Sequence, residues 1–547
     1  MRNNDTHKPL ARFVRVLKRR TISTMIDLFL VSSLQKIFPD TANFHLENQG
    51  ECFLDELHNF QLVLRSETDE EIELITQSDL TLRLYSQVFV KGTPAPQKGD
   101  GYYIQGKTEF PDPLFPVTGK IKVEKGKATA ILVVCRDLTA GKHKITFTAK
   151  EKSVEYELNV FDCKIAVEPV PVTNWIHIDC ICDKHGVEPF TSEFYEVFDK
   201  YLELYILGGN SMVFTPVFTP PLDTKVGTYR RTCQLVSVKK VKGAYRFDFK
   251  KLKFFMDFCR VRGIEYFEFS HLLSQWGGKF CPKIEDEKGK LLFGWNDKSS
   301  GKKYKRFLRY YLRSLAVFLK QSGYEKDCYL HLSDEPNGKF VGQYIRKSKF
   351  VYKYVGKIKT VDAVNAPKLC NIPSLDVPTI ATFDYYKIKK LPENYFLYYS
   401  GWGCWERHTN RFLHLPLQRV RVLGYQLFLT GASGFLHWGF NFYHSQFSVR
   451  KINPYEETDA GGAFPSGDSF IVYPSEKGAT PSLRLFTMRE ALQDFYALKR
   501  LEGLYGKEFA LGLLKASGMD GLSVYKGEID WHIDLRKKIN EYILKKR

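Results

Sequence analysis

Two adjacent carboxylates, Asp334 and Glu335, stand where a short apolar run ends, in the segment His331-Leu-Ser-Asp-Glu-Pro336. Neighbouring carboxylates repel each other, so one of them is pushed towards its protonated form. A protonated carboxyl beside an ionised one suits cleavage of a glycosidic bond. Alternatively, Asp334 caps the next helix and Glu335 is solvated. The spacing alone leaves both interpretations open.

The adjacency of the two residues favours one kind of glycosidase chemistry. An acid and a nucleophile on opposite sides of the bond must be about 5 Å or more apart. Adjacent carboxyls can instead act together: one protonates the leaving oxygen, and the other orients the sugar's own 2-acetamido group for attack on the anomeric carbon. This substrate-assisted route needs no cofactor. We also predict no metal site, because the Cys and His positions lack a zinc-ligand pattern.

Aromatic, amide and histidine side chains recur after other apolar runs. Aromatic faces pack against the apolar side of a pyranose, whereas His, Asn and Gln bind its hydroxyls. A single ring or histidine is more often structural, and Arg411 either binds a substrate oxygen or braces a carboxylate. The predicted substrate-binding set is His271, Gln275, Trp276, Tyr398, Tyr399, Trp438, Asn441, Tyr443, Asp179 and Arg411.

The elements that must position these residues follow an alternating pattern. After residue 166, short apolar runs alternate with stretches of helical periodicity. Eight such units predict an α/β fold, a (β/α)8 TIM-type barrel over 166–502, whose strand ends would carry the site. The predicted strands are 175–179, 211–214, 265–269, 329–332, 360–362, 379–383, 395–399 and 434–438.

The regions on either side of the barrel differ in character. Residues 25–165 contain short β-type runs separated by Gly, Pro and Asp, which predicts an N-terminal β-sandwich of immunoglobulin type. Residues 1–24 are predicted to be a basic tail, and 503–547 a helical or mixed appendage. More than half of the net charge of +19 lies on these two ends. Such tails can touch nucleic acid, but solvated ends are the simpler interpretation, so we predict no nucleic-acid partner.

Composition excludes several classes of protein. The 547 residues are 44% hydrophobic and 26% charged, which excludes a mainly disordered chain, a collagen and a coiled coil. The charge-free run 422–449 is long enough to cross a bilayer, but its polar residues predict a buried helix and strand, hence no membrane span. Eleven cysteines without a regular framework predict a cytoplasmic protein. Cys180 and Cys182 are predicted to point to opposite faces of a strand.

Several segments together resemble glycoside hydrolase family 123 and its wider group of relatives. That resemblance implies an N-terminal β-sandwich, a (β/α)8 barrel and retaining β-N-acetylgalactosaminidase activity on the terminal amino sugar of a glycan or glycoconjugate. It implies that Asp334 orients the acetamido group and that Glu335 is the general acid/base. The matching segments include Trp175-Ile-His-Ile-Asp-Cys180, Phe218-Thr-Pro-Pro-Leu-Asp-Thr224, Ser270-His-Leu-Leu-Ser-Gln-Trp-Gly277, His331-Leu-Ser-Asp-Glu-Pro336, Asn410-Arg-Phe412 and Pro465-Ser-Gly-Asp468.

Two alternatives to that activity stay open at the level of sequence. One is a related glycosidase that acts on another sugar through the same pocket. The other is a catalytically silent carbohydrate-binding protein, although pure binding does not need adjacent acids. The sequence predicts no oligomeric state.

Overall fold

The computed structural model describes residues 26–93, 103–401 and 407–546, apart from the side chain of Trp276. Within residues 26–93 and 103–161, which the structure describes, the regular elements are all strands. They are β1 Ile26–Ser32, β2 Gln49–Phe53, β3 His58–Ser66, β4 Glu70–Ile72, β5 Leu74–Gln77, β6 Thr81–Lys91, β7 Glu109–Pro116, β8 Ile121–Val123, β9 Thr129–Arg136, β10 Gly141–Ala149 and β11 Lys152–Phe161.

These strands form two main sheets with a common core. One sheet has the order β1-β3-β9-β6-β7 and is antiparallel, and the other has the order β2-β11-β10-β5. In the second sheet β2 runs parallel to β11, whereas the other pairs are antiparallel. Phe60 and Ile131 from the first sheet pack in one buried cluster with Phe147 and Tyr156 from the second. The immunoglobulin-type sandwich stays a prediction.

The remaining strands belong to the barrel or to small hairpins. They are β12 Val172–Asn174, β13 Met212–Thr215, β14 Ser237–Val241, β15 Ala244–Asp248, β16 Tyr266–Phe269, β17 Ile284–Glu285, β18 Leu291–Phe293, β19 Cys328–His331, β20 Lys359–Val364, β21 Val377–Ala381, β22 Phe396–Tyr398, β23 Gly434–His437, β24 Tyr473–Ser475 and β25 Gly478–Thr480.

Eight of these strands form a nearly closed parallel barrel. The order is β12-β23-β22-β21-β20-β19-β16-β13, and every hydrogen-bonded pair is parallel. At the seam between β12 and β13, the backbone N–H of Ser211 donates to the carbonyl of Val172 at 3.1 Å. All four residues of β13 and of β19 are buried, as expected for strands that are covered on both faces. The predicted barrel is therefore present.

Helices surround the barrel and continue beyond it. They are α1 Ile178–His185, α2 Ser192–Leu207, α3 Lys250–Val261, α4 Gln275–Gly278, α5 Lys302–Ser322, α6 Val341–Tyr352, α7 Gln418–Arg421, α8 Leu423–Thr430, α9 Leu483–Tyr505, α10 Lys507–Ala516 and α11 Ile529–Lys545. Short 3₁₀ turns cover Gly338–Phe340, Pro367–Leu369, Thr382–Lys387 and Gln446–Ser448.

The first barrel strand lies earlier in the chain than predicted. The alternating apolar residues of 175–179 predicted a strand, but β12 ends at Asn174 and α1 begins at Ile178. Ile178, Ile181 and Cys182 are buried at helical spacing, which explains why this segment folds as a helix. Cys180 and Cys182 therefore lie on α1, not on opposite faces of a strand.

The N-terminal sheets pack directly against the barrel through α9. Leu114 of β7 and Leu132 of β9 share a buried cluster with Leu483 and Phe486 of α9. Beside them, the fully buried guanidinium of Arg484 pairs with Asp112 of β7 at 2.7 Å. Residues 503–546 contain the end of α9, then α10 and α11.

The charge-free run 422–449 contains α8 and β23, as predicted. Among the described residues, no helix is both long and apolar enough to cross a membrane.

Candidate active site

A cleft of about 220 Å³ opens at the carboxyl ends of the barrel strands. This is the end at which barrel enzymes carry their active sites. Four carboxyl side chains and six aromatic rings reach its surface. The lining residues are Trp175, His177, Leu222, Asp223, Gln275, Asp334, Glu335, Ala363, Tyr398, Ser400, Gly401, Leu436, Trp438, Phe442, Gln446, Phe447, Phe464 and Asp468.

The loop after β19 holds Asp334 and Glu335 in place through hydrogen bonds from its backbone. The N–H of Ser333 donates to Oδ2 of Asp362 at 2.9 Å. The N–H of Glu335 donates to the carbonyl of Ala363 at 3.0 Å. Glu335 has a φ of +43°, in the left-handed region that side chains rarely adopt. Such strain persists only where the surroundings fix it, and it is common at active sites.

Asp334 faces an amide whose orientation is fixed. Oε1 of Gln275 accepts from the backbone N–H of Asp223 at 2.7 Å, so Nε2 of Gln275 must donate elsewhere. It donates to Oδ2 of Asp334 at 3.1 Å. Asp334 caps no helix in the described chain, because the residue that precedes the next turn is Asn337. The helix-cap alternative is therefore incompatible with the structure.

Glu335 receives its hydrogen bond from a different direction. The hydroxyl of Tyr398, at the end of β22, donates to Oε1 of Glu335 at 2.7 Å. Burial raises the pKa of Glu335, and the Tyr398 hydroxyl opposes that effect. Burial and the adjacent Glu335 raise the pKa of Asp334 well above its usual range. The pair therefore retains a proton more readily than two solvated carboxyls would.

A second layer of charge lies below this pair. His331, the last residue of β19, places Nδ1 at 2.7 Å from Oε1 of Glu268 and Nε2 at 3.4 Å from Oδ1 of Asp362. Both oxygens of Glu268 also accept from Nε1 of Trp175, each at 3.0 Å. Trp175 lines the floor of the cleft, so the buried layer is connected to its surface.

The opposite wall is built on Trp438 and Asp468. Nε1 of Trp438 donates to Oδ2 of Asp468 at 2.9 Å. Nε2 of His437 lies 3.4 Å from the other oxygen of Asp468, and Nδ1 of His437 accepts from Arg411 at 2.7 Å. Burial raises the pKa of Asp468 to about 7. This carboxyl therefore changes charge near neutral pH.

A third wall is braced from behind by an ion pair. Arg230 donates to both oxygens of Asp179 at 2.6 Å and to Nδ1 of His177 at 3.1 Å. Nε2 of His177 in turn donates to the carbonyl of Trp438 at 2.9 Å. Burial and Arg230 lower the pKa of His177 to about 3, so this ring is neutral.

Five predicted site residues meet in the cleft: Asp334, Glu335, Gln275, Tyr398 and Trp438. The side chain of Trp276 lies outside the described residues.

The other predicted substrate-binding residues lie behind the cleft wall. Asn441 is buried, where it hydrogen-bonds to the backbone N–H and C=O of His177. Tyr443 donates to the carbonyl of Val472 at 2.9 Å. These contacts consume the polar atoms that were predicted to bind hydroxyls. Both residues therefore brace the wall instead of lining it.

The same correction applies to four further residues, which are all buried. The ring of His271 is packed between Trp175 and His331, with centroids 5.0 and 4.0 Å away. The ring of Tyr399 packs edge-on against His437. Asp179 and Arg411 make the internal contacts described above. None of these side chains lines the cleft, so we reassign them as support for residues that do.

Lining residues that were not selected from the sequence include Trp175, His177, Asp223 and Asp468. All four lie within the segments that carry the family resemblance. Their position inside these segments is the sequence feature by which they could have been identified as site residues. Asp468 follows β23 by some thirty residues, so its position relative to a strand end could not reveal it.

Two groups of three side chains place potential metal ligands within 4.8 Å of one another in the described residues: Asp179, Cys180 and His444, and His271, His331 and Asp334. Asp179 is already paired with Arg230, and His331 is already flanked by Glu268 and Asp362. These partners would compete with a metal ion for Asp179 and His331, so we assign no metal to either group.

Comparison with known proteins identifies a family and a similar fold. The model of the glycoside hydrolase 123 catalytic domain matches residues 175–501. A family 123 glycoside hydrolase from Clostridium perfringens, studied for glycolipid glycan hydrolysis, has a similar structure, with a TM-score of 0.70 and 14% identity over 95% of this chain and 98% of that one.

The alignment with a family 5 mannosidase from Rhizomucor miehei covers 66% of this chain and 97% of the mannosidase. Its TM-score is only 0.35 and the sequence identity is 9%. No curated protein matches the chain. Since the family model covers more than half of the sequence, this chain belongs to glycoside hydrolase family 123 and is a glycoside hydrolase.

Proposed function

We propose that this enzyme is a retaining exo-β-N-acetylgalactosaminidase that hydrolyses terminal β-linked GalNAc by substrate-assisted catalysis. The observation that carries the proposal is the adjacency of Asp334 and Glu335 in one cleft, with a separate hydrogen-bond donor for each. The Clostridium perfringens relative, which hydrolyses glycolipid glycans, supports a glycan on a lipid as the substrate class.

In the first step, Glu335 is the general acid. It gives its proton to the glycosidic oxygen as the bond from that oxygen to the anomeric carbon breaks. The carbonyl oxygen of the 2-acetamido group attacks the same carbon and closes an oxazolinium ring. Glu335 then takes a proton from the water that reopens the ring. Two inversions at one carbon give retention.

Asp334 acts on the acetamido group. As an anion it accepts a hydrogen bond from the acetamido N–H and stabilises the positive charge that develops on the closing ring. Nε2 of Gln275 holds Asp334 in position from the side of the wall, since this amide cannot rotate without losing its bond to Asp223. The interaction strengthens in the transition state, which is what catalysis requires.

The aromatic walls suit a single terminal sugar. Trp175, Leu436 and Tyr398 belong to one buried cluster that lines the cleft, and the ring of Trp438 packs against it. Asp468 and Asp223 add carboxylate acceptors for hydroxyl groups. Action on the terminal sugar is part of the proposal and follows from the family resemblance.

Asp223 and Asp468 also raise an alternative mechanism, because either could attack the anomeric carbon directly. Two contacts favour the substrate-assisted route. Oδ2 of Asp223 accepts from the backbone N–H of Phe447, and Oδ2 of Asp468 accepts from Trp438. Each contact holds one oxygen of the carboxyl group against the wall of the cleft.

The wider organisation is part of the proposal. We assign a β-sandwich domain to 25–165, the catalytic barrel to 166–502 and an appendage to 503–547, supported by the buried cluster that the two N-terminal sheets form with each other. A cytoplasmic location, the absence of a nucleic-acid partner and independence from metals and organic cofactors stay predictions.

The test is a hydrolysis screen of aryl β-glycosides of GalNAc, GlcNAc, galactose and glucose. We expect turnover of the two 2-acetamido sugars, with GalNAc preferred. Preference for GlcNAc would overturn the sugar assignment. Preference for galactose or glucose would overturn the mechanism, and would favour a related glycosidase of other specificity.

A further inference from the structure

Below the Asp334–Glu335 pair, His331 is enclosed between two buried carboxylates. All three side chains are fully buried: His331 at the end of β19, Glu268 in β16 and Asp362 in β20. Nδ1 of the ring is 2.7 Å from Glu268, and Nε2 is 3.4 Å from Asp362. Each ring nitrogen therefore faces a carboxylate oxygen.

This arrangement favours a doubly protonated ring, since Nδ1 is hydrogen-bonded to one carboxylate and Nε2 lies close to the other. A neutral imidazole has a hydrogen on one nitrogen only and would turn a lone pair towards one of the two carboxylates. Glu268 is fixed as an acceptor, since both its oxygens also accept from Trp175. Burial alone would lower the pKa of His331, but Asp362 and Glu268 outweigh it and raise the pKa to about 10.

The positive ring lies close to one member of the catalytic pair. A nitrogen of His331 and a carboxylate oxygen of Asp334 lie within 4.8 Å of each other. An opposite charge at this distance favours the ionised form of a carboxyl group. The charge of His331 opposes the rise in the pKa of Asp334 that burial and Glu335 cause.

We propose that His331 is a positioning residue whose positive charge favours the ionised form of Asp334 beside a protonated Glu335. This inference rests on the substrate-assisted function proposed above. The ring stands below Asp334, out of the cleft, and acts through charge and not through contact with the sugar. Glu268 and Asp362 hold that charge in place.

The other groups around His331 and Asp334 are consistent with this role. His271 packs on the ring at 4.0 Å between centroids, but burial and His331 lower its pKa well below the usual range, so it stays neutral. When Glu335 is protonated, the negative charges of Asp334, Glu268 and Asp362 outnumber the single positive charge of His331. The net negative charge favours a positively charged transition state. The titratable groups that face His331 or Asp334 are Glu268, His271, Asp362, Glu335 and Tyr398, and Tyr344 in turn faces Asp362.

The test compares His331→Gln and His331→Asn with wild type over a range of pH. Both variants keep a neutral N–H donor but lose the charge. We expect the acidic limb of kcat/KM for an aryl GalNAc glycoside to move up by about one to three pH units. At a pH below the new limb, activity should fall about tenfold for every pH unit that the limb has moved, and it should recover at higher pH. A merely structural defect would not recover.

A matched control is His532→Gln, which removes another fully buried histidine, on α11, away from the cleft. We expect this variant to lose stability and to keep the acidic limb of wild type. Selective ¹⁵N labelling of histidine in the wild-type enzyme gives an independent measurement that needs no variant to fold. Both nitrogens of His331 should show imidazolium shifts at pH 8.

Two results would overturn the inference: folded His331 variants with an unmoved acidic limb, or a neutral His331 at pH 8 in wild type. Failure of the proposed function gives a different result. In that case the wild-type enzyme prefers a sugar without the 2-acetamido group, while the ¹⁵N measurement still reports the charge of His331.

Discussion

His331 and His437 hold the same position on two strands of one barrel but differ in charge. The ring of His331 is positively charged, whereas the ring of His437 is neutral. Each is the last residue of its strand, β19 or β23, and each is fully buried beside the cleft. His331 lies between two carboxylates. His437 accepts at Nδ1 from Arg411 and from the N–H of Gly439, which leaves its hydrogen on Nε2, towards Asp468.

The difference comes from the neighbours of each ring and not from the strand. Burial lowers the pKa of both histidines, and at His437 the charge of Arg411 adds to that effect. At His331 the carboxylates of Asp362 and Glu268 reverse it. The charged ring lies below the acidic pair, and the neutral ring supports Trp438 and Asp468. In the proposed mechanism, the side of the cleft above His331 transfers the proton and the side at His437 binds the sugar.

The largest effect on activity is expected for Glu335, which lies on the side of the cleft above His331. Glu335→Gln removes the proton donor and keeps the shape, so we expect kcat/KM for natural glycans to fall about a hundred- to ten-thousandfold. Activated aryl glycosides need less protonation and should lose less. Steady-state kinetics on both substrate types measures the difference, and equal losses would show that Glu335 has another role.

Asp334→Asn should have the second largest effect on activity. It removes the charge that stabilises the closing oxazolinium ring, so kcat should fall about a hundred- to a thousandfold, with a smaller change in KM. The substitution keeps the size of the side chain, and thermal unfolding should show a stable protein. A kcat within a few-fold of wild type would remove Asp334 from the mechanism.

Asp468→Asn tests the binding side. A hydrogen bond to a charged group is worth about 1.5–3 kcal/mol, so we expect kcat/KM to fall about ten- to a hundredfold, mainly through KM. Because the pKa of Asp468 is raised to about 7, its charge is lost as the pH falls through 7. KM should rise below pH 7 in wild type and stay constant in the variant. Complete loss of kcat would instead indicate a catalytic carboxylate.

His437→Gln should have the smallest effect. The wild-type ring is neutral and donates only from Nε2, and glutamine offers a comparable N–H donor. We expect a loss of a few-fold in activity and no movement of the acidic limb of the pH profile, in contrast to His331→Gln. An equal shift in both variants would show that the two histidines do not differ in charge.

The parts of the fold that the sequence predicted best are those with strong local patterns. Strands β13, β16, β19 and β23 are continuous apolar runs bounded by helices, which is typical of parallel strands buried on both faces. Asp334 and Glu335 were found because they directly follow such a run. The first strand was misplaced because Ile176 and Ile178 alternate like strand residues although α1 begins at Ile178.

The site as a whole depends on contacts that spacing cannot show. Asn441 and Arg411 have the residue types that bind sugar hydroxyls, but His177 and Asn174 take up their hydrogen bonds inside the protein. Glu268 lies within an apolar strand, where its pairing with His331 has no local sequence signal. Each side chain's role depends on partners far away in the sequence.

The central claim is tested most directly by comparing two substrates that differ only at carbon 2. Wild-type enzyme would be given an aryl β-glycoside of GalNAc and the matching glycoside of galactose, whose 2-hydroxyl cannot attack the anomeric carbon as an acetamido group can. We expect turnover of the 2-acetamido sugar, almost none of the 2-hydroxy sugar, and no sugar covalently bound to the protein. Equal turnover of the two, or a glycosyl adduct on Asp223 or Asp468, would contradict substrate-assisted catalysis.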